Sequence, residues 1–141
     1  MKNKLFAFLF LPLLLVACNK QKSIVKKLTG EWNIYSYTFQ ENNGLSYNYD
    51  AKGILRFKNC GNEFCGYELD MTFTKSGQNI AKHDLGEYKV EKDGEHFTIN
   101  RSNSDGTIST FLKNRILLIN KEQMKMLIQD ESGVHHFVLE K

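Results

Sequence analysis

Apolar and polar residues alternate with a period of two along most of this chain, and no long segment repeats at helical spacing. The cleanest run is Cys65 to Thr74. Cys65, Tyr67, Leu69, Met71 and Phe73 fall on one face, and Glu68, Asp70, Thr72 and Thr74 on the other, as a half-buried strand requires. Gly86, Tyr88 and Val90 oppose Glu87, Lys89 and Glu91 in the next strand. Phe97 and Ile99 alternate with His96, Thr98 and Asn100 in the one after, and Asp93-Gly94 predicts a tight hairpin turn between the two. Glu31 to Gln40 is aromatic and β-prone, and Ala51 to Lys58 predicts a short strand. Thr107 to Asn120 is long enough for one bent strand or two short ones. Met124 to Asp130 and Val134 to Glu140 are joined by the hairpin loop Glu131-Ser132-Gly133. Gln40 to Asp50 and Lys75 to His83 are expected as loops, and Ser23 to Leu28 as a short helix or turn before the first strand. About eight strands in sequential hairpins predict an all-β fold. A single antiparallel up-and-down eight-stranded barrel is expected, since closure removes the exposed edges.

The start of the chain reads differently. Lys2 and Lys4 precede an apolar run from Leu5 to Ala17, about thirteen residues, where a membrane-spanning helix needs roughly twenty. A basic front, a short apolar core and a small residue at the cut site mark an export signal. Leu15-Val16-Ala17-Cys18 resembles the bacterial lipobox. That resemblance implies a signal peptide over 1–17, diacylglycerol on the Cys18 thiol, and an acylated new terminus holding the protein to a membrane. Residues 18–27, with polar Asn19 to Lys22, are expected as a lipidated tether, and 28–141 as the domain. No aspartate follows Cys18, which by the sorting pattern of Gram-negative lipoproteins implies the outer membrane. With no acidic export tag behind the cysteine, the periplasmic face is expected.

About 124 residues remain beyond the leader, the size of one domain. The formal charge of +3 falls to about +1 there, because the leader holds two lysines. Nothing in that balance favours nucleic acid. The single proline, Pro12, lies in the leader, so turns fall to Gly, Asn, Asp and Ser.

Leu28-Thr29-Gly30-Glu31-Trp32 carries the Gly-x-Trp that opens the first strand in lipocalins. Gly86-Glu87-Tyr88 leads a strand and hairpin to Phe97-Thr98-Ile99, and Met124 to Ile128 and Phe137 to Leu139 close the chain. Together these resemble the lipocalin-like (calycin-type) lipoproteins of Gram-negative bacteria. The resemblance implies that Trp32 plugs the closed end of the barrel and that the open end admits a small apolar ligand. The chain is shorter than typical lipocalins and lacks their C-terminal helix.

Cys60 and Cys65 bracket a four-residue loop, and in an oxidising periplasm they are expected to form a disulfide. Thiolate metal binding would need two further soft ligands at suitable spacing, which the sequence lacks. His135 and His136 are adjacent on a strand and so point to opposite faces. With His83 in an expected loop and His96 on a polar face, the histidines are expected to be incidental surface residues, and no metal is expected. Asn103-Ser104-Asp105-Gly106 fails as a calcium loop, because Arg101 falls where the first acidic ligand belongs, and it is expected as a turn. No nucleophile elbow, phosphate-binding loop or zinc-protease motif occurs, and Glu68 and Asp70 are expected on a solvated face. Neither catalysis nor a cofactor is expected.

Trp32, Ile34, Ser36, Tyr67, Leu69, Met71, Phe73, Tyr88 and Phe97 remain as the expected barrel interior, either packed core or cavity wall. Tyr67 and Tyr88 would offer hydroxyls to a ligand, and Ser36 would leave room for one. The function expected is a membrane-anchored barrel that binds or carries a small hydrophobic molecule. The alternative is a module that recognises an envelope or host protein through Gln40 to Asp50 and Lys75 to His83, with Tyr47 and Tyr49 as contacts. A third is an accessory subunit of an envelope complex.

Overall fold

The computed structural model describes residues 20–59 and 63–141. The expected signal peptide 1–17, the acylation site Cys18 and the expected disulfide partner Cys60 lie outside the described residues.

Nine antiparallel strands follow a short helix. They are β1 (Gly30–Glu41), β2 (Ser46–Tyr49), β3 (Ala51–Phe57), β4 (Cys65–Lys75), β5 (Gln78–Val90), β6 (His96–Ser102), β7 (Ile108–Ile119), β8 (Gln123–Gln129) and β9 (Gly133–Glu140). Each strand from β3 to β9 pairs with the next, β1 pairs with β3, and β1 closes the ring on β9 from Asn33↔Glu140 to Glu41↔Gly133. The result is the expected closed eight-strand up-and-down barrel with one additional strand. That strand, β2, pairs with the upper half of β1 (Tyr37↔Tyr49 to Gln40↔Ser46), while β3 pairs with the lower half (Gly30↔Phe57 to Asn33↔Ile54).

Alternation places the predicted faces as expected in β4 and in the lower halves of β5 and β6. Leu55, Leu69, Tyr88, Phe97, Met124, Met126 and Leu139 meet in the interior with 5% exposure or less. A helix, α1 (residues 20–28), covers one end of this core. Gln21, Val25 and Leu28 recur at helical spacing and are buried, while Lys22, Lys26 and Lys27 point to solvent. The Gln21 amide donates to the Val90 carbonyl, Lys20 pairs with Glu95 at 3.0 Å, and Gly94 packs against Lys20 and Ile24. Trp32 lies fully buried behind the helix, its indole N–H donating to the Leu28 carbonyl at 2.7 Å, with the Lys141 ammonium 4.7 Å from its ring.

Several expectations are corrected. The short helix expected over Ser23 to Leu28 is present and starts earlier, at Lys20, within the span expected as a tether. Much of Gln40 to Asp50 is not loop, because Ser46–Tyr49 pairs with β1. Lys75 to His83 is not a loop either. β4 and β5 run together to a two-residue turn in which Ser76 (φ 51°) and Gly77 (φ 78°) both take left-handed conformations, the geometry that follows the twist of a hairpin. Alternation failed to show this because Lys82 and Asp84 occupy inward positions of β5. The β5–β6 connection spans residues 91–95 rather than a tight Asp93-Gly94 turn. There the Asp93 carboxylate accepts from the backbone N–H groups of Glu95 and His96. Against burial, these bonds and the His96 ring hold Asp93 at a pKa of about 2. Thr107 to Asn120 takes the first of its two expected forms, the single strand β7 (Ile108–Ile119), with a register shift against β8 between Ile116 and Leu118.

Candidate functional site at the open end

The strand ends opposite α1 form the open end, and the interior changes character there. Ser36, expected inside, is exposed. The register of β1 against β9 shifts between Ile34 and Ser36, so Tyr37 takes the next inward place. The other interior candidates divide between two levels. Trp32, Ile34, Tyr67, Leu69, Met71, Tyr88 and Phe97 are packed core, whereas Phe73, nearest the mouth on β4, is half-buried against it. The Tyr88 hydroxyl is spent on the Lys58 carbonyl at 2.8 Å, and burial pushes its pKa up to about 12.

One side of the upper interior is aromatic. The Tyr37 ring lies 5.8 Å from Tyr49, 5.5 Å from Phe73 and 5.1 Å from Phe137, and Tyr47 stacks on Tyr49 at 6.2 Å. These rings come from β1, β2, β4 and β9, with Tyr37 and Phe137 buried, Tyr49 and Phe73 half-buried and Tyr47 exposed, and such offset and edge contacts favour a stable cluster.

The other side is charged. Arg101 of β6 reaches Asp84 of β5 at 3.4 Å and Asp130, just past β8, at 3.3 Å; Lys82 stands 3.5 Å from Asp84. His135 of β9 joins the two sides. The Tyr37 hydroxyl and His135 Nδ1 share a hydrogen bond of 2.8 Å, and Nε2 lies 3.0 Å from Asp130 Oδ2. That approach is poorly aligned, and neither His135 Nε2 nor Arg101 Nε makes a hydrogen bond, although both atoms are buried. The side chains of His135 and Asp130 keep only 7% and 8% exposure. His135 is therefore no surface histidine, as expected from sequence, but an interior residue; only its neighbour His136 faces outward.

These contacts set the protonation states. Burial opposes the Asp130 charge, but the close approach of the His135 ring and the Ser132 donors hold its carboxyl far below the usual range. Burial, with the charges of Tyr49, Asp130 and Asp84, pushes the Tyr37 hydroxyl well above its ordinary value, so it stays a donor. Burial disfavours the Arg101 charge, yet Asp84, Tyr67 and Asp130 raise its pKa further, keeping it cationic. The upper interior thus presents fixed charges of both signs beside an aromatic wall.

Room is limited. The interior cavity between Leu69, Ile99, Phe137 and the polar group of Tyr67, Lys82, Asp84, Arg101 and His135 measures about 10 Å³, space for about one water. It lies below a rim groove of about 240 Å³ lined by Arg101, Asn103, Ser109, Phe111, Asp130 and Ser132. Arg101 is common to both, and its guanidinium lies 4.8 Å from the Phe111 ring.

Alternation contained a signal for this cluster. Lys82 and Asp84 share parity with Tyr88 and Val90, Arg101 with Phe97 and Ile99, and His135 with Phe137 and Leu139. Each is a polar residue at an inward position of a strand whose apolar half was already visible.

A second cluster lies on the outer wall. Glu68, Asp70 and His83 bring ligating atoms within 4.8 Å of one another, because β5 places His83 opposite Asp70. The hydrogen bond between His83 and Asp70 raises the pKa of His83 and lowers that of Asp70. Arg56 already sits among these acids, 3.2 Å from Asp70, 3.5 Å from Glu68 and 2.6 Å from Glu31, so their charge is met by a protein cation. Cys65 is half-buried at the start of β4, packed against the core. Asn103 to Gly106 forms the expected turn, with Asp105 accepting from Thr107.

No known family model matches this chain, and no curated protein matches it in sequence.

Proposed function

We propose that this chain is a bacterial envelope lipoprotein whose lipocalin-like barrel binds a small amphipathic molecule at its open end. The observation that carries the reading is the buried Arg101–Asp130–His135 cluster under an aromatic rim, above a solidly packed lower core. A barrel that only needed filling is served as well by apolar side chains, since a buried ion pair is commonly no more stable than hydrophobic residues of equal volume. Tyr47, Tyr49 and Phe73 offer planar area to the apolar part of a ligand. Arg101 and Lys82, or Asp84 and Asp130, offer charge to its polar end, an arrangement typical of ligand sites.

A wholly apolar cargo enclosed in the barrel is not supported, because ligand pockets run to several hundred Å³ and the interior cavity is about 10 Å³. The role is binding rather than catalysis. Anchoring through Cys18, the Cys60–Cys65 bridge and the outer-membrane address belong to the same proposal and are supported by the leader, the lipobox resemblance and the cysteine spacing.

Native mass spectrometry of the protein purified from its own envelope tests this. A bound small molecule that is lost in Arg101→Met and in Tyr49→Ala is the expected result. A protein that always emerges empty, and whose melting is unmoved by amphipathic probes, sinks the reading. A protein partner is a second reading, favoured by the outer wall of β7, where Ile108, Leu112, Leu117 and Leu118 are exposed.

A further inference from the structure

Very little chain separates the acylation site from the folded domain. Cys18 precedes Lys20, the first described residue of α1, by two positions, a reach of about 7 Å at full extension. The helix is no free arm. It is fastened to the barrel through buried Gln21, Val25 and Leu28 and through the Lys20–Glu95 pair. The lipid therefore leaves the protein at the closed end, beside α1.

The charge on that end is arranged for a surface. Residues 20–28 contain four lysines and no acid. Lys22, Lys26 and Lys27 face outward, and among the described residues none of the three is in an ion pair. Lys92 and Lys121 stand exposed in the neighbouring turns. Nearby acids are largely engaged. Glu95 holds Lys20, Glu31 pairs with Arg56, Asp93 accepts from its own turn, and Glu91 accepts from the Thr98 hydroxyl; Glu63, Glu122 and Glu140 also lie at this end. The open end carries Glu41, Asp50, Asp105 and Glu131 around its rim, beside Lys52 and Lys75.

From this we infer that the closed end of the barrel, with α1 outermost, docks flat on an anionic phospholipid surface and holds the open end away from the bilayer. The inference rests on acylation of Cys18, which brings the helix to the headgroups. Each lysine near such a surface then adds roughly five-fold in affinity. The docked pose gives the mouth a fixed outlook into the aqueous space, where a ligand arrives without crossing lipid.

Lysine acetylation footprinting of the acylated protein tests the pose. The protein is reconstituted in phosphatidylcholine vesicles with and without phosphatidylglycerol. With phosphatidylglycerol, Lys22, Lys26 and Lys27 should react several-fold more slowly, while Lys52 and Lys75 at the open end react at an unchanged rate. Raised salt should erase the difference, because screening shortens the reach of surface charge. The variant K22E/K26E/K27E, whose changes all lie on the exposed helix face, should lose the phosphatidylglycerol-dependent protection of Lys92 and Lys121. Equal reactivity of the helix lysines on both vesicles, or protection of Lys52 and Lys75 instead, overturns the docking. The intact mass of the membrane-extracted protein judges the anchor separately. A mass without acyl groups on Cys18 overturns the anchoring, whereas an acylated protein with unprotected lysines overturns the docked pose alone.

Discussion

The two halves of the barrel interior are built on the same alternation but hold different chemistry. Around Trp32 the inward positions are apolar, fully buried and sealed by a helix. Around His135 they carry Lys82, Asp84, Arg101 and Asp130 against a wall of tyrosines and phenylalanines, with two buried nitrogens unpaired. The lower half gains its stability from area removed from water, about 25 cal/mol per Å². The upper half spends part of that gain on desolvating charge. Such an asymmetry is common in proteins that fold with one region and work with another, since binding sites are drawn from the less stable parts of a structure.

The largest effect is expected where the packing is tightest. Trp32→Ala should cost about 3–5 kcal/mol in urea unfolding, because it opens a cavity under α1 and leaves the Leu28 carbonyl without its donor. Asp130→Ala should cost about 3 kcal/mol in the same measurement, because the buried Arg101 keeps only Asp84 as a counter-charge and His135 loses its carboxylate neighbour. Replacing Arg101 together with its two acid partners, Asp84→Leu with Arg101→Met and Asp130→Leu, should instead leave stability within about 2 kcal/mol of wild type, with Lys82 left at a partly exposed position, while abolishing ligand capture. A triple variant as unstable as Trp32→Ala would mean that the charges hold the barrel together, and the contrast between the halves would fail.

A smaller effect concerns acid. The Asp130 carboxyl lies far below its unfolded value of about 4, so its contribution is complete above about pH 4 and disappears as pH falls below it. The thermal midpoint should drop through that range, and Asp130→Asn should flatten the drop. Part of the slope should survive, because Asp93 at the closed end, held at about 2, loses stability over the same window. The smallest change is at the rim. Ser76→Asn suits the left-handed turn better and should raise stability by about 0.5 kcal/mol without altering binding, which separates rim rigidity from recognition.

How far the sequence was readable follows the same division. β4 and the lower parts of β5 and β6 were legible because inward residues are apolar and outward ones polar. The first half of β5 was not, since Lys82 and Asp84 point inward and mimic a polar loop. The shift after Ile34 leaves no mark in composition, and it misplaced Ser36 while hiding Tyr37. The first turn of α1 carries no apolar mark, because Gln21, its first buried residue, is polar. His135 and His136 are alike in composition, and only strand parity puts one of the two inside.

The ring is sealed by its first and last strands, with Asn33 pairing to Glu140. No partial chain can make that closure, and contacts between such distant residues form slowly. Until β9 emerges, β1 and β8 each lack a neighbour, so a growing chain has no finished core to collapse into. Late closure therefore leaves the growing chain pliable and commits it to its shape only when its last strand is in place.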